Sequence, residues 1–173
     1  MSKTRTMIAA LCGMAIAAPA LANTCLRPEE RSVFELRALR SYLMVSALQC
    51  QKGESYNQFV RRFGADLSAA DRAALAHFTR AHGGQGRTRL DVYNTTMANE
   101  HSEDAIRAGS FFCRDADPLF QRALATPAAQ LPQLAMERNI PQTYGDDCGA
   151  TPAAATRPAA ARTAARSTTP TRR

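Results

Sequence analysis

The sequence predicts an all-α fold, a disulfide-stapled bundle of about four to five helices with a disordered C-terminal tail. Three observations carry this. No segment alternates apolar and polar residues as a half-buried strand would, and the chain is rich in Ala, Leu, Arg and Gln, which favour helix. Apolar residues recur at three-four spacing in stretches separated by Gly or Pro. Of the 5 cysteines, all but Cys12 lie beyond an N-terminal leader, a pattern that suits disulfides.

The leader is residues 1–22, MSKTRTMIAALCGMAIAAPALA. Lys3 and Arg5 precede an apolar run from Met7 to Ala18, and Ala20-Leu21-Ala22 closes it with the small-x-small pattern that a signal peptidase accepts. The run is too short to span a bilayer. Neither Leu11-Cys12 nor Thr24-Cys25 puts Gly or Ala before the cysteine, so a lipoprotein signal is not expected. The expectation is a mature chain without a transmembrane segment, located in the periplasm or secreted. It comprises a helical domain over 23–149 and a basic tail over 150–173.

Charge separates these parts. Of the net +7, +2 belongs to the leader and +5 to the tail, while residues 23–149 balance 15 basic against 15 acidic groups. The pI near 9.6 therefore does not make the domain a specific nucleic-acid binder, which would need a basic face. The tail, ATPAAATRPAAARTAARSTTPTRR, has no large apolar residue with which to offset the entropy of ordering. It reads as a solubilising appendage, or as a weak, salt-sensitive tether to anionic envelope polymers.

The first helix starts at Pro28, where proline is tolerated, with Glu29 and Glu30 complementing the helix dipole. It extends to about Leu48, with Val33, Leu36, Leu39, Leu43 and Ala47 as its inner face, and breaks at 51–55. A short second helix carries Tyr56, Phe59, Val60 and Phe63 as a core plug and stops at Gly64. Ser68-Ala-Ala-Asp71 matches a capping box and starts a third, with Leu67, Ala74, Leu75, Phe78 and Ala81 inward. Gly83-Gly84-Gln85-Gly86 lacks the P-loop lysine and reads as a turn. The fourth helix is predicted from about Thr88 to Cys113. Asp115 is expected to cap the next, through Ala125, with Leu119, Phe120 and Leu124 inward. Thr126-Pro127 interrupts before a weak helix to Arg138 and an irregular segment from Ile140 to Gly149.

Cys25, Cys50, Cys113 and Cys148 are spaced by 25, 63 and 35 residues, without the close pairs of a zinc site. No CxxC motif supports a redox pair or haem attachment. If the short second helix and the third form one descending leg, the first and fourth run parallel. Cys50 then meets Cys113, and Cys25 meets Cys148. If the second helix is a full leg, the pairs become Cys25–Cys113 and Cys50–Cys148. At 1.5 Å per residue the second helix spans only about 15 Å, which favours the first pairing.

The polar group on the fourth helix is the one candidate constellation. Leu90, Asn94, Met97, His101, Asp104 and Ala108 fall near one line, giving a polar core seam of Asn94, His101 and Asp104. His101 and Asp104, three apart, can touch, which would orient the imidazole and raise its pKa. As metal ligands His101, Asp104, Glu100 and His82 make a thin set, since metal sites want three or four convergent groups and no HExxH occurs. No cofactor is expected. GxSxG is absent and Ser102 faces away around the helix, so no catalytic triad is expected. Asn94-Thr95-Thr96 fits a glycosylation sequon in an unfavourable helical setting.

The blocks LMVSALQC (43–50), YNQFVRRFG (56–64), TTMANEHS (95–102) and FFC (111–113) resemble a family of small exported helical proteins of alphaproteobacteria with no known activity. The resemblance covers roughly residues 25–125 and implies an envelope location and a helical domain, with no catalytic residue to carry over. The expected role is non-catalytic: a binding, scaffolding or envelope-associated protein. Its exposed polar face on the fourth helix includes Glu100, Glu103 and Arg107. The alternatives are a metal-binding or hydrolytic protein centred on His101 and Asp104, and a periplasmic stress chaperone.

Overall fold

The structure, a computed structural model, describes residues 25–145. The leader, the tail and Cys148 lie outside these residues. Five α-helices account for most of them: α1 (Pro28–Gln49), α2 (Gly53–His82), α3 (Gly86–Ala108), α4 (Ser110–Ala125) and α5 (Leu131–Glu137). Short 3-10 turns at Gly83–Gln85 and Ala128–Gln130 join α2 to α3 and α4 to α5.

Helix α1 is the axis of the bundle. Pro28 occupies its first turn, and the Arg27 N–H donates to Glu30 Oε2 at 3.0 Å. The sequence suggests one apolar face, yet every residue from Phe34 to Leu39 is buried, because α2, α3, α4 and α5 all pack around this helix. A helix covered on all sides must satisfy its polar side chains by pairing with neighbours. Those pairs reveal direction. Glu30 meets Arg80 and Arg37 meets Asp71, so α2 runs antiparallel to α1. Arg37 meets Asn94 and Ser41 meets His101, so α3 runs parallel to it.

Two expected boundaries are corrected. The second and third predicted helices are one element, α2, bent at Phe63 (φ −108°, ψ 17°). Gly64 costs a helix about 1 kcal/mol relative to Ala. The buried series Phe59, Phe63, Leu67, Ala70, Ala74 and Phe78 stays in phase across it, and this packing wins. Ser68 therefore caps nothing, and Asp71 reaches α1 instead. The fourth predicted helix, in contrast, divides. Gly109 takes φ +55°, open to glycine, and its N–H closes α3 on the carbonyls of Ala105 and Ile106. Cys113 thus belongs to α4, and Asp115 lies inside that helix instead of capping it.

The bent α2 is the single descending leg, and Cys50 and Cys113 meet in a disulfide with Cα atoms 5.3 Å apart. This excludes Cys25–Cys113 and Cys50–Cys148. Cys25 is also disulfide-bonded. Its proposed partner Cys148 lies outside the described residues.

Beyond α5 the chain forms a strap. Ile140 is buried, Tyr93 donates its hydroxyl to the Gln142 carbonyl at 2.6 Å, and Tyr144 stacks on Phe34 with ring centroids 4.9 Å apart. The strap closes the core beside α1 and α3.

Candidate functional site

Arg37, Arg40, Ser41 and Met44 stand at three-four spacing on α1, and all face a cavity of about 440 Å³ shared with α2 and α3. That size lies within the range of small-molecule sites. Its apolar surface comes from Met44, Leu75, Leu90, Met97 and Ala98. Four guanidiniums, those of Arg37, Arg40, Arg72 and Arg87, line it against one carboxylate, Asp71.

The charges fall into two sets. Asp71 bridges the inner pair, bonding to Arg37 and accepting from Arg40 Nη1 at 2.9 Å. Arg37, whose side chain is 9% exposed, also donates to Asn94 Oδ1 at 2.5 Å. Its Nε is buried and has no hydrogen-bond partner among the described residues. On Arg40, burial works against the charge, but Tyr56 and Asp71 outweigh it and raise the pKa. Arg72 and Arg87 are exposed and have no ion pair within the described residues, leaving two cations of the groove without a protein counter-ion.

One turn along α3 from Met97 and Ala98, His101 is fully buried. Its Nε2 lies 3.0 Å from the Pro141 carbonyl, which can only accept, so Nε2 carries the proton. Nδ1 is then the acceptor, and the Ser41 hydroxyl donates to it at 3.1 Å. Burial lowers the His101 pKa, the Pro141 carbonyl and the charges of Asp104 and Glu100 opposing it only in part. The Tyr42 ring lies edge-on to the imidazole at 5.5 Å.

This corrects the expected seam. Asp104 does not touch His101 but pairs with Arg107 one turn on, and the imidazole pKa falls instead of rising. Asn94 is half-buried and joins the arginine network, while Ala108 is exposed. His82 packs on Phe78 below the start of α3. At 1.5 Å per residue, about 22 Å of helix separates Gly86 from His101. His82 therefore cannot converge with His101, Asp104 and Glu100 on a metal, and the described residues hold no cluster of three or more candidate ligands. Glu103 and Arg107 form a solvent-facing pair at 3.5 Å. Ser102 donates to the Ala98 carbonyl at 2.8 Å, away from His101.

Sequence reasoning missed Ser41, Arg37, Arg40 and Asp71. The signal was the three-four spacing of Arg37, Arg40, Ser41 and Met44, which on a helix read as one-sided looks like solvated surface. Compared with family models, curated proteins and solved structures, the chain matches none.

Proposed function

We propose that this chain is an exported helical binding protein whose groove between α1, α2 and α3 takes an amphiphilic anion, a carboxylate or phosphate head on an apolar body. The observation that carries the reading is the surplus of guanidiniums around an apolar floor, with Arg72 and Arg87 in no ion pair among the described residues. Arg37 and Arg40 are already neutralised in part by Asp71, so the ligand head belongs at the outer pair and the body along Met44, Leu75 and Met97. Planar guanidiniums suit both head groups, because they bind them through paired N–H donors.

Export is part of the same reading. It is supported by the leader pattern of residues 1–22 and by the Cys50–Cys113 disulfide. Among the described residues, no helix is long and apolar enough to cross a membrane.

Calorimetric titration of the chain with decanoate, decyl phosphate and the uncharged decanol tests the groove. The anions bind and decanol does not. Arg72→Ala with Arg87→Ala weakens anion binding by about tenfold to a hundredfold, as expected for charge-assisted hydrogen bonds. Equal binding of decanol, or no effect of the double substitution, would overturn the reading.

A further inference from the structure

We infer that Ser41, at the inner wall of the groove, and His101, buried behind it, form a nucleophile–base pair that hydrolyses carboxylic esters carrying a separate anionic group. This goes beyond binding and rests on the groove as the ligand site.

Three features place the pair together. Ser41 lines the cavity, and its hydroxyl proton is already directed at an imidazole nitrogen, Nδ1, at 3.1 Å. The other nitrogen is fixed by the Pro141 carbonyl at 3.0 Å, which sets the tautomer and orients the ring as the third member of a hydrolytic triad does. Finally, the bond is particular to this serine. Ser46 and Ser102 both donate to the carbonyl one turn back, at 2.8 Å each, as helical serines commonly do, whereas Ser41 donates across to another helix. Burial keeps His101 in its neutral, proton-accepting form.

In the reaction, Ser41 Oγ attacks the ester carbonyl carbon and forms the new C–O bond while its proton passes to His101 Nδ1. The imidazolium keeps its Nε2–H on the Pro141 carbonyl. Arg37 and Arg40, on the same wall, offset the negative charge on the tetrahedral oxygen. The ester C–O bond then breaks, and His101 returns the proton to the leaving alkoxide. Water, giving its proton to His101, releases the acid from Ser41 by the same steps. The free anionic group of the substrate rests on Arg72 or Arg87.

The test uses the full chain and the 4-nitrophenyl half-ester of decanedioic acid, with neutral 4-nitrophenyl decanoate for comparison. Nitrophenolate release is followed, and the acyl group is mapped by peptide mass. The half-ester should acylate Ser41 faster than the neutral ester, and Ser41→Ala should abolish the adduct. His101→Gln should slow acylation by about a hundredfold or more. The acylation rate should rise with pH as His101 loses its proton and then level off. An adduct elsewhere, or equal rates for wild type and Ser41→Ala, overturns the pair. Calorimetry of decanedioate with Ser41→Ala, which removes one oxygen, separates the two readings. Binding without wild-type acylation sinks the nucleophile and keeps the groove, whereas no binding to either protein sinks both.

Discussion

The Glu30 carboxylate lies 3.1 Å from Nδ1 of the buried His77, and so ties the first turn of α1 to the last turns of α2. Arg80 holds the same carboxylate through both of its oxygens, and the Arg27 N–H adds a further bond. The same Nδ1 also lies 2.9 Å from Arg80 Nη2, so carboxylate, imidazole and guanidinium meet in one cluster. The His77 Nε2 is buried among the rings of Phe34, Phe78 and Tyr144 and has no hydrogen-bond partner among the described residues.

Acid should open this clamp. Burial alone would push the Glu30 pKa up, but Arg80, the Arg27 N–H and His77 outweigh it and bring it from 4.5 to about 2. A carboxylate depressed in the folded state contributes stability that is fully present above its unfolded pKa and is lost as pH falls through the folded one. The window here runs from 4.5 down to about 2 and is worth about 3 kcal/mol. Urea midpoints measured across that range should fall steeply for wild type. Glu30→Gln should be less stable at neutral pH and show a flatter acid limb. Parallel acid limbs for the two proteins would refute the assignment.

Asp71 is half-exposed, yet its partner Arg37 is nearly buried, and this asymmetry sets the cost of removing it. Asp71→Asn keeps the shape but leaves a guanidinium in the bundle without its counter-charge. Breaking one side of a buried pair costs about 3–5 kcal/mol, and the exposure of Asp71 reduces this to about 2 kcal/mol. Denaturant unfolding of Asp71→Asn should show that loss. The companion Arg40→Gln should cost about 1 kcal/mol or less, because Arg40 keeps more contact with water. The reverse order would remove Arg37 as the buried member.

How far the sequence disclosed this architecture depended on whether each signal was local. Pro28, Gly53, the Gly83–Gly86 turn and Thr126-Pro127 act through their own backbone preferences, and each marks an observed helix end or start. Gly64 and Gly109 look alike as letters but behave oppositely. At Gly64 the apolar phase runs on and the helix bends, whereas at Gly109 the backbone turns to positive φ and the helix stops. The groove was illegible for another reason. Arg37 and Asp71 are 34 residues apart, and Ser41 and His101 are 60 apart. Each lies on a helix whose own periodicity says nothing about which polar residue faces it. His101 was visible as a polar residue on an apolar stripe, but its partners came from α1 and the strap, not from Asp104.

Two glycines should respond oppositely to alanine. A Cβ on Gly86 would stand 2.7 Å from the Thr79 backbone, so α2 and α3 meet there at a distance that only glycine permits. Gly86→Ala should destabilise by about 1–3 kcal/mol through forced backbone displacement. A Cβ on Gly64 meets nothing within 4 Å. Gly64→Ala should therefore stabilise by up to about 1 kcal/mol, by restricting the unfolded chain and favouring helix. Thermal melts of the two single variants decide this, and a stabilising Gly86→Ala would contradict the close approach.

The Cys50–Cys113 bond closes a sequence separation of 63 residues and joins the end of α1 to the first turns of α4. Chain-entropy arguments give such a loop about 4 kcal/mol of stabilisation through the unfolded state. The bond has a local task as well. Val45, Ala105 and Phe112 form a small cluster separate from the main core, packed against Tyr42 and the two cysteines. With so little apolar area, the α3–α4 corner around Gly109 depends on the crosslink more than the Leu67–Phe78 region does. Because Cys25 is also oxidised, the test is the double substitution Cys50→Ala with Cys113→Ala, not a reductant. Its urea midpoint should fall by an amount equivalent to about 3–4 kcal/mol. Amide exchange should accelerate first across residues 105–113, while residues 67–78 keep the protection of global unfolding. Uniform acceleration through both segments would show that the bond acts on the unfolded chain alone.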